Sequence, residues 1–299
     1  MKKMLFVMNP YSGTRRANKY LVEILEQFNR ADYEVMVHMT RGPGDATKVV
    51  AAKAHEMDLI VCCGGDGTFN ETISGMLSAG ADVPLGYIPA GSTNDFAASL
   101  KLSGNVMQAV QDILEGVPVS YDVGKFGDRY FSYVASFGAF TKASYSTPQS
   151  VKNMLGHTAY VLEGINELSQ IKNEHVRMEL DGQVIEDDFL FGAISNSTSV
   201  GGILTLRPDI VDMADGEFEV ILVRAPQNLT EIAECLQAVQ NQTYSCSMIT
   251  FQRAKKVQIF ADPQMPWTLD GEREEGHEQV EAANLHHAIL LMKREAPNA

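Results

Sequence analysis

Residues 58–80 read DLIVCCGGDGTFNETISGMLSAG. An apolar run, Leu59 to Cys63, stops at Gly64 and Gly65, and a helical pattern follows Asp66 and Gly67. Strand, glycine turn, helix is the repeating step of an α/β domain. Glycines let backbone N–H groups approach a ligand with no Cβ in the way, and a helix start adds partial positive charge. Together they hold phosphate. Asp66 is at odds with phosphate unless it reaches a ribose or a magnesium ion. The plainer reading is a tight strand–turn–helix with Asp66 as a cap, and Glu71, three residues after Thr68, suggests a capping box. Cys62 and Cys63 read as small apolar strand residues. With Cys235 and Cys246 they make four cysteines, none in C-x-x-C spacing.

The same alternation extends outward. KMLFVMNP is a strand ended by Pro10, and the next segment sets Leu21, Ile24, Leu25 and Phe28 at helical spacing. YEVMVHMT alternates like a strand, GDATKVVAAKAHEM is helical with Asp45 placed to cap it, and PLGYIPAG is a strand. This order predicts a doubly wound, mostly parallel α/β domain with helices on both faces and ligands at the carboxyl ends of the strands. The loops NPYSG (9–13), TRGPG (40–44), GGDGT (64–68) and AGSTND (90–95) each follow a strand, so they are expected on one rim.

From about residue 118 the pattern becomes antiparallel. Hairpins are expected at Gly127–Asp128 and Asp181–Gly182, and helices over 151–172 and 228–240. The reading is a nucleotide-binding domain over 1–117 and a C-terminal β-sandwich over 118–299, with the last strand near 286–295 packing back on the first domain. His286 and His287 are expected to point one into the core and one outward. Trp267 is expected to pack under a loop.

Bulk properties narrow the functional classes. The chain has 299 residues, 45% hydrophobic, with a formal net charge of -14. That charge argues against nucleic-acid binding and against whole-surface adsorption to an anionic membrane. No run approaches the ~20 apolar residues of a membrane span. The N-terminal apolar run is too short for a signal peptide. A cytoplasmic protein is expected.

The motifs NPYSG, GGDGTFNE and GSTNDFA, in that order, together with VDMADGEFEV and TLDGE, resemble the diacylglycerol kinase-like lipid kinases, nearest the soluble bacterial members. The resemblance spans essentially the whole chain. It implies a lipid kinase that uses ATP and Mg²⁺, most simply converting diacylglycerol to phosphatidic acid. It places Asn9, Pro10, Tyr11, Ser12, Gly13, Thr40, Gly64, Gly65, Asp66, Gly67, Thr68, Asn70 and Glu71 at the ATP site, with Ser92 and Asn94 at nucleotide or phosphate. Asp66, Asn94 and Asp95 would organise the phosphates and catalytic Mg²⁺. Asp212, Asp215 and Glu217 match a structural metal site, where hard oxygen donors suit Mg²⁺. Glu272 matches the catalytic base, since a hydroxyl attacking phosphorus must lose a proton. Without the resemblance, both Asp-Gly segments read as ordinary turns.

Partners follow from that reading. The lipid substrate is met at a membrane surface, which implies transient peripheral association through a local patch; Lys142 and Lys152 are candidates. Homodimerisation stays open. Two other readings are kept. NAD kinases also carry GGDGT, but their Asn-Glu pair lies well downstream, whereas here Asn70-Glu71 follows directly. A nucleotide-binding regulatory protein without kinase activity is the third.

Overall fold

The computed structural model describes residues 1–139, 172–200, 204–225, 227–244 and 246–294. They form two compact units, Met1–Val123 with Leu285–Ala299, and Gly124–Asn284. The expected helix over 151–172 (up to residue 171), Lys142 and Lys152 lie outside the described residues.

In the first unit, elements alternate as β1 (Lys2–Met8), α1 (Leu21–Arg30), β2 (Tyr33–Met39), α2 (Asp45–Lys53), β3 (Leu59–Gly64), α3 (Asp66–Ala79) and β4 (Leu85–Pro89). α4 (Asp95–Ser99) and α5 (Val106–Leu114) follow, then β5 (Val117–Phe126). β2, β1, β3 and β4 are neighbours in that order, all parallel. β3 and β4 are buried throughout, and β1 from Met4 to Met8. That explains why they read as continuous apolar runs: a parallel sheet is covered on both faces. α2 and α3 pack closely at Gly75, where a Cβ would stand 2.7 Å from the Thr47 carbonyl oxygen. α5 was not expected from the sequence; Asn105 caps it by accepting from the N–H groups of Met107 and Gln108.

The second unit is antiparallel. Its strands are β6 (Arg129–Phe131), β7 (Val134–Gly138), β8 (Glu174–Leu180), β9 (Gln183–Ser195), β10 (Ser199–Val200), β11 (Leu204–Thr205) and β12 (Phe218–Arg224). α6 (Leu229–Gln240) precedes β13 (Ile249–Ala254), β14 (Lys256–Ala261), β15 (Trp267–Leu269), β16 (Glu272–Glu274) and β17 (Gln279–Lys293). The order is β16-β15-β7-β9-β8-β14-β17, and β12 pairs with both β9 and β13. This is the expected β-sandwich, with turns at Gly127 and at Asp181-Gly182. Its core centres on Trp267, fully buried, with Phe126 and Phe137 at ring-centroid distances of 4.8 and 4.9 Å. Removing such a ring costs about 3–5 kcal/mol. The far end of β17 belongs to the first unit, where Leu291 pairs in parallel with Leu85.

Candidate active site

The rim of the first unit is built from backbone meeting backbone. A Cβ on Gly91 would lie 2.6 Å from the Gly65 Cα, and one on Gly13 would lie 2.5 Å from the Ala90 carbonyl oxygen. Gly13 also has φ +49, a conformation glycine adopts without strain. The loops after β1, β3 and β4 therefore touch only because these positions lack side chains. Asn9 joins them: its side-chain amide donates to the Thr68 hydroxyl at 3.2 Å, and its backbone N–H to the Cys63 carbonyl. The Pro10 carbonyl accepts from Asn18, and the Asn9 carboxamide oxygen accepts from the Tyr11 N–H. Ser12 sits in the same loop, its carbonyl accepting from Arg15. Thr40 is buried, its N–H on the Met8 carbonyl.

Helix α3 starts at Asp66, and no side chain caps it at Gly65. Its first N–H groups, over Asp66, Gly67 and Thr68, lie among the glycine loops, which makes an anion-binding end. The Asp66 carboxylate accepts from the Phe96 N–H at 3.4 Å and so joins α3 to the start of α4, where Asp95 is the first residue. Asn94, at φ +54, folds its carboxamide onto Gly91, accepting from its N–H at 2.9 Å and donating to its carbonyl at 3.1 Å. Ser92 lies between them in the same loop, and Asn70 follows on α3.

Glu71 departs from the capping-box expectation. It does not close its own helix. Its carboxylate accepts from the Gly44 N–H at 2.7 Å and the Ala46 N–H at 3.2 Å, capping α2 instead. The loop after β2 is thereby tied to α3. Its neighbour Asp45 accepts from the Arg41 N–H, and that bond, the Arg41 guanidinium and His38 hold its carboxyl down at about 2. Cys62 and Cys63 are fully buried; burial pushes the Cys63 thiol up to about 12 and raises Cys62 as well, so neither is a nucleophile.

In the second unit, the segment before β12 gathers carboxylates. Asp212 accepts from the Ala214 N–H at 3.0 Å, and Asp215 from the Glu217 N–H at 2.9 Å with Arg253 at 3.6 Å. The Glu217 carbonyl accepts from the Asn284 side chain. The sequence reading missed Glu219. It is fully buried, neither carboxylate oxygen has a hydrogen-bond partner from another residue among the described residues, and burial, reinforced by Asp215 and Asp212, pushes its carboxyl up to about 8 against the pull of Arg253 and of its own N–H. Hard oxygen donors of this kind are what Mg²⁺ takes, and Glu219 feels the charge of Asp215 and Asp212, but no three of these carboxylates converge within the span of one ion in this structure.

Glu272 begins β16, its side chain 61% exposed and therefore reachable by a substrate, with the Arg129 guanidinium at 3.3 Å. Arg129 also holds Glu274 at 2.6 Å. Two residues before Glu272, Asp270 is buried. It accepts from the Ser132 N–H at 2.5 Å, the Ser132 hydroxyl at 2.7 Å, and the N–H groups of Tyr133 and Val134 at 3.0 Å. Burial pushes its carboxyl up against these bonds, which lower it. Asp270 and Gly271 have φ +49 and +81, the two left-handed positions of a tight hairpin turn. The signal in the sequence was Asp-Gly between two short strands; its buried anchor was not visible.

Residues 3–126 match the family model described as the diacylglycerol kinase catalytic domain, and residues 134–289 that of the YegS C-terminal NAD kinase beta sandwich-like domain. The diacylglycerol kinase of Bacillus subtilis (strain 168) is 32% identical over 298 residues, covering 99% of this chain and 98% of its own. That of Staphylococcus carnosus (strain TM300) is 33% identical over 273 residues, covering 91% and 89%. A crystal structure from Bacillus anthracis str. Sterne superposes with a TM-score of 0.79 at 25% identity, covering 98% of this chain and 95% of the other. A second from that organism, described as a diacylglycerol kinase, gives 0.74 at 22% and so speaks for the fold.

Proposed function

The chain belongs to the diacylglycerol kinase family of lipid kinases, and from that premise we propose that it moves the γ-phosphoryl group of ATP to the free hydroxyl of diacylglycerol, giving phosphatidic acid and ADP. The observation that carries the reading is the close backbone packing of the loops at Gly13, Gly65 and Gly91 around the start of α3. Such a cradle suits a polyphosphate, and the curated relatives are diacylglycerol kinases.

The roles follow from the chemistry of each group. Backbone N–H groups at the start of α3 hold phosphate oxygens. Asn9 and Asn94 keep the flanking loops in register. Asp66 and Asp95 hold the catalytic Mg²⁺, and Asp212, Asp215, Glu217 and Glu219 hold a structural one. Magnesium, when bound, neutralises charge on the phosphates and on the carboxylates around it. Glu272 accepts the proton of the lipid hydroxyl as its oxygen bonds to phosphorus and the bond to the β-phosphate oxygen breaks. Arg129 restricts the Glu272 side chain. Most of the acceleration comes from in-line positioning and charge stabilisation, and the base contributes about 10²–10⁴-fold.

The NAD-kinase description of the second family model favours one alternative acceptor, the ribose hydroxyl of NAD. A panel of lipids and NAD, assayed with purified protein, labelled ATP and Mg²⁺, separates the two. Label in phosphatidic acid, lost in Glu272→Ala with the fold intact, is the expected result. Label in NAD alone, or full lipid turnover by Glu272→Ala, overturns it. The protein is expected to meet its lipid by transient contact with the membrane surface. No helix among the described residues is long and apolar enough to cross a membrane.

A further inference from the structure

His286 and His287 depart from the sequence expectation of one ring in the core and one outside. Consecutive residues of a strand point to opposite faces. Here both rings are exposed and lie together, their centroids 3.7 Å apart. The cause is local: His287 has φ +54, which breaks the alternation of β17. A left-handed conformation at a non-glycine residue is strained, and such strain gathers at functional positions. Facing the pair is Asp122 of β5, fully buried, whose carboxylate accepts from the His287 N–H at 2.7 Å. All three residues belong to the first unit.

We propose that Asp122, His286 and His287 form a binding site for a borderline divalent cation of the zinc class, separate from the magnesium-type carboxylates. One ligand atom from each lies within 4.8 Å of the other two. Metal–donor distances of about 2.1 Å bring tetrahedral ligand atoms to about 3.4 Å from one another. The buried carboxylate stays in place and the two exposed imidazoles swing inward by about an ångström or slightly more to close that gap. Two imidazole nitrogens and one carboxylate oxygen select Zn²⁺, Co²⁺ or Ni²⁺ over Mg²⁺, which takes oxygen ligands. Three protein donors leave a position for water. The exposed rings give the ion a way in. Because β5 and β17 pair, the bound ion fastens one strand to the other beside their hydrogen bonds.

The test uses the full chain, stripped of metal with a chelator and held in excess Mg²⁺. Zn²⁺ is titrated by calorimetry, and Co²⁺ is followed by its visible absorption. The variants are His286→Ala and His287→Gly; glycine accepts the left-handed backbone, so that variant folds without the strain. His175→Ala, on an exposed histidine elsewhere, is the control. The expected result is one site in the wild type and the control, weakened roughly tenfold or more by either variant, with Co²⁺ bands free of sulfur charge transfer. Wild-type affinity in both variants, no site in the wild type, or a Co²⁺–thiolate band assigning the ion to Cys235 or Cys246, each overturns the proposal.

Discussion

Asp270→Asn isolates what holds Glu272 in place. Asparagine keeps the volume and tolerates φ +49. Its single acceptor oxygen still serves the Tyr133 and Val134 N–H groups, both at 3.0 Å. Those bonds lose their charge assistance, at about 0.5–1 kcal/mol each. The new amide nitrogen then faces the Ser132 N–H, which stood 2.5 Å from a carboxylate oxygen. A buried donor left without an acceptor costs about 1–3 kcal/mol. The Ser132 hydroxyl turns to accept from the new amide and contributes little. The loss is about 3 kcal/mol, which lowers Tm by roughly 6–12 °C for a unit of this size. Circular dichroism on heating measures it. Steady-state kinetics supplies the second readout: kcat falls because Glu272 is misplaced, while KM for ATP holds, since the residues proposed to bind ATP belong to the first unit. A Tm drop below about 2 °C, or unchanged kcat, refutes the argument that Asp270 sets the turn.

Three further outcomes follow. Gly91→Ala drives a Cβ to 2.6 Å from the Gly65 Cα and 2.7 Å from the Asn94 side-chain oxygen; the loops separate, stability falls by about 1–3 kcal/mol, and nucleotide titration shows weaker ATP binding. Added Mg²⁺ raises Tm, by about 2.7 kcal/mol of stability at a hundredfold excess over Kd, and Asp215→Ala or chelation removes the rise; an Asp215→Ala protein that still responds fully would place the ion elsewhere. Asp45 has its folded pKa depressed to about 2 from 3.8, so its contribution is present above about pH 4 and lost as pH falls through about 2; stability curves of wild type and Asp45→Asn converge on acidification, and a gap constant down to pH 2 contradicts the assignment.

The alternation of strand and helix, the parallel sheet and the switch to antiparallel hairpins were legible because they rest on local periodicity and on Gly and Asp-Gly turns. The loops at 9–13, 64–71 and 90–95 were legible for the same reason, since a parallel strand order carries each to one edge. What escaped notice depends on partners far away in the chain. Glu71 looked like the cap of its own helix, and nothing local says that Gly44 and Ala46 offer nearer N–H groups. Glu219 reads as the polar residue of an alternating strand until its burial with no partner from another described residue is seen. Asp270 is half of a turn dipeptide until the N–H groups of residues 132–134 close on it.

By itself, then, the sequence determined the order of elements, the family and which glycine-bearing loops meet on one rim, because backbone preferences and side-chain period act over a few residues. Only the tertiary structure decided which carboxylates cap helices, that Glu219 is buried with no partner from another residue among the described residues, and that His286 and His287 of β17 lie together beside Asp122 of β5. Those outcomes turn on burial and on a single left-handed backbone angle, and both are properties of the packed chain.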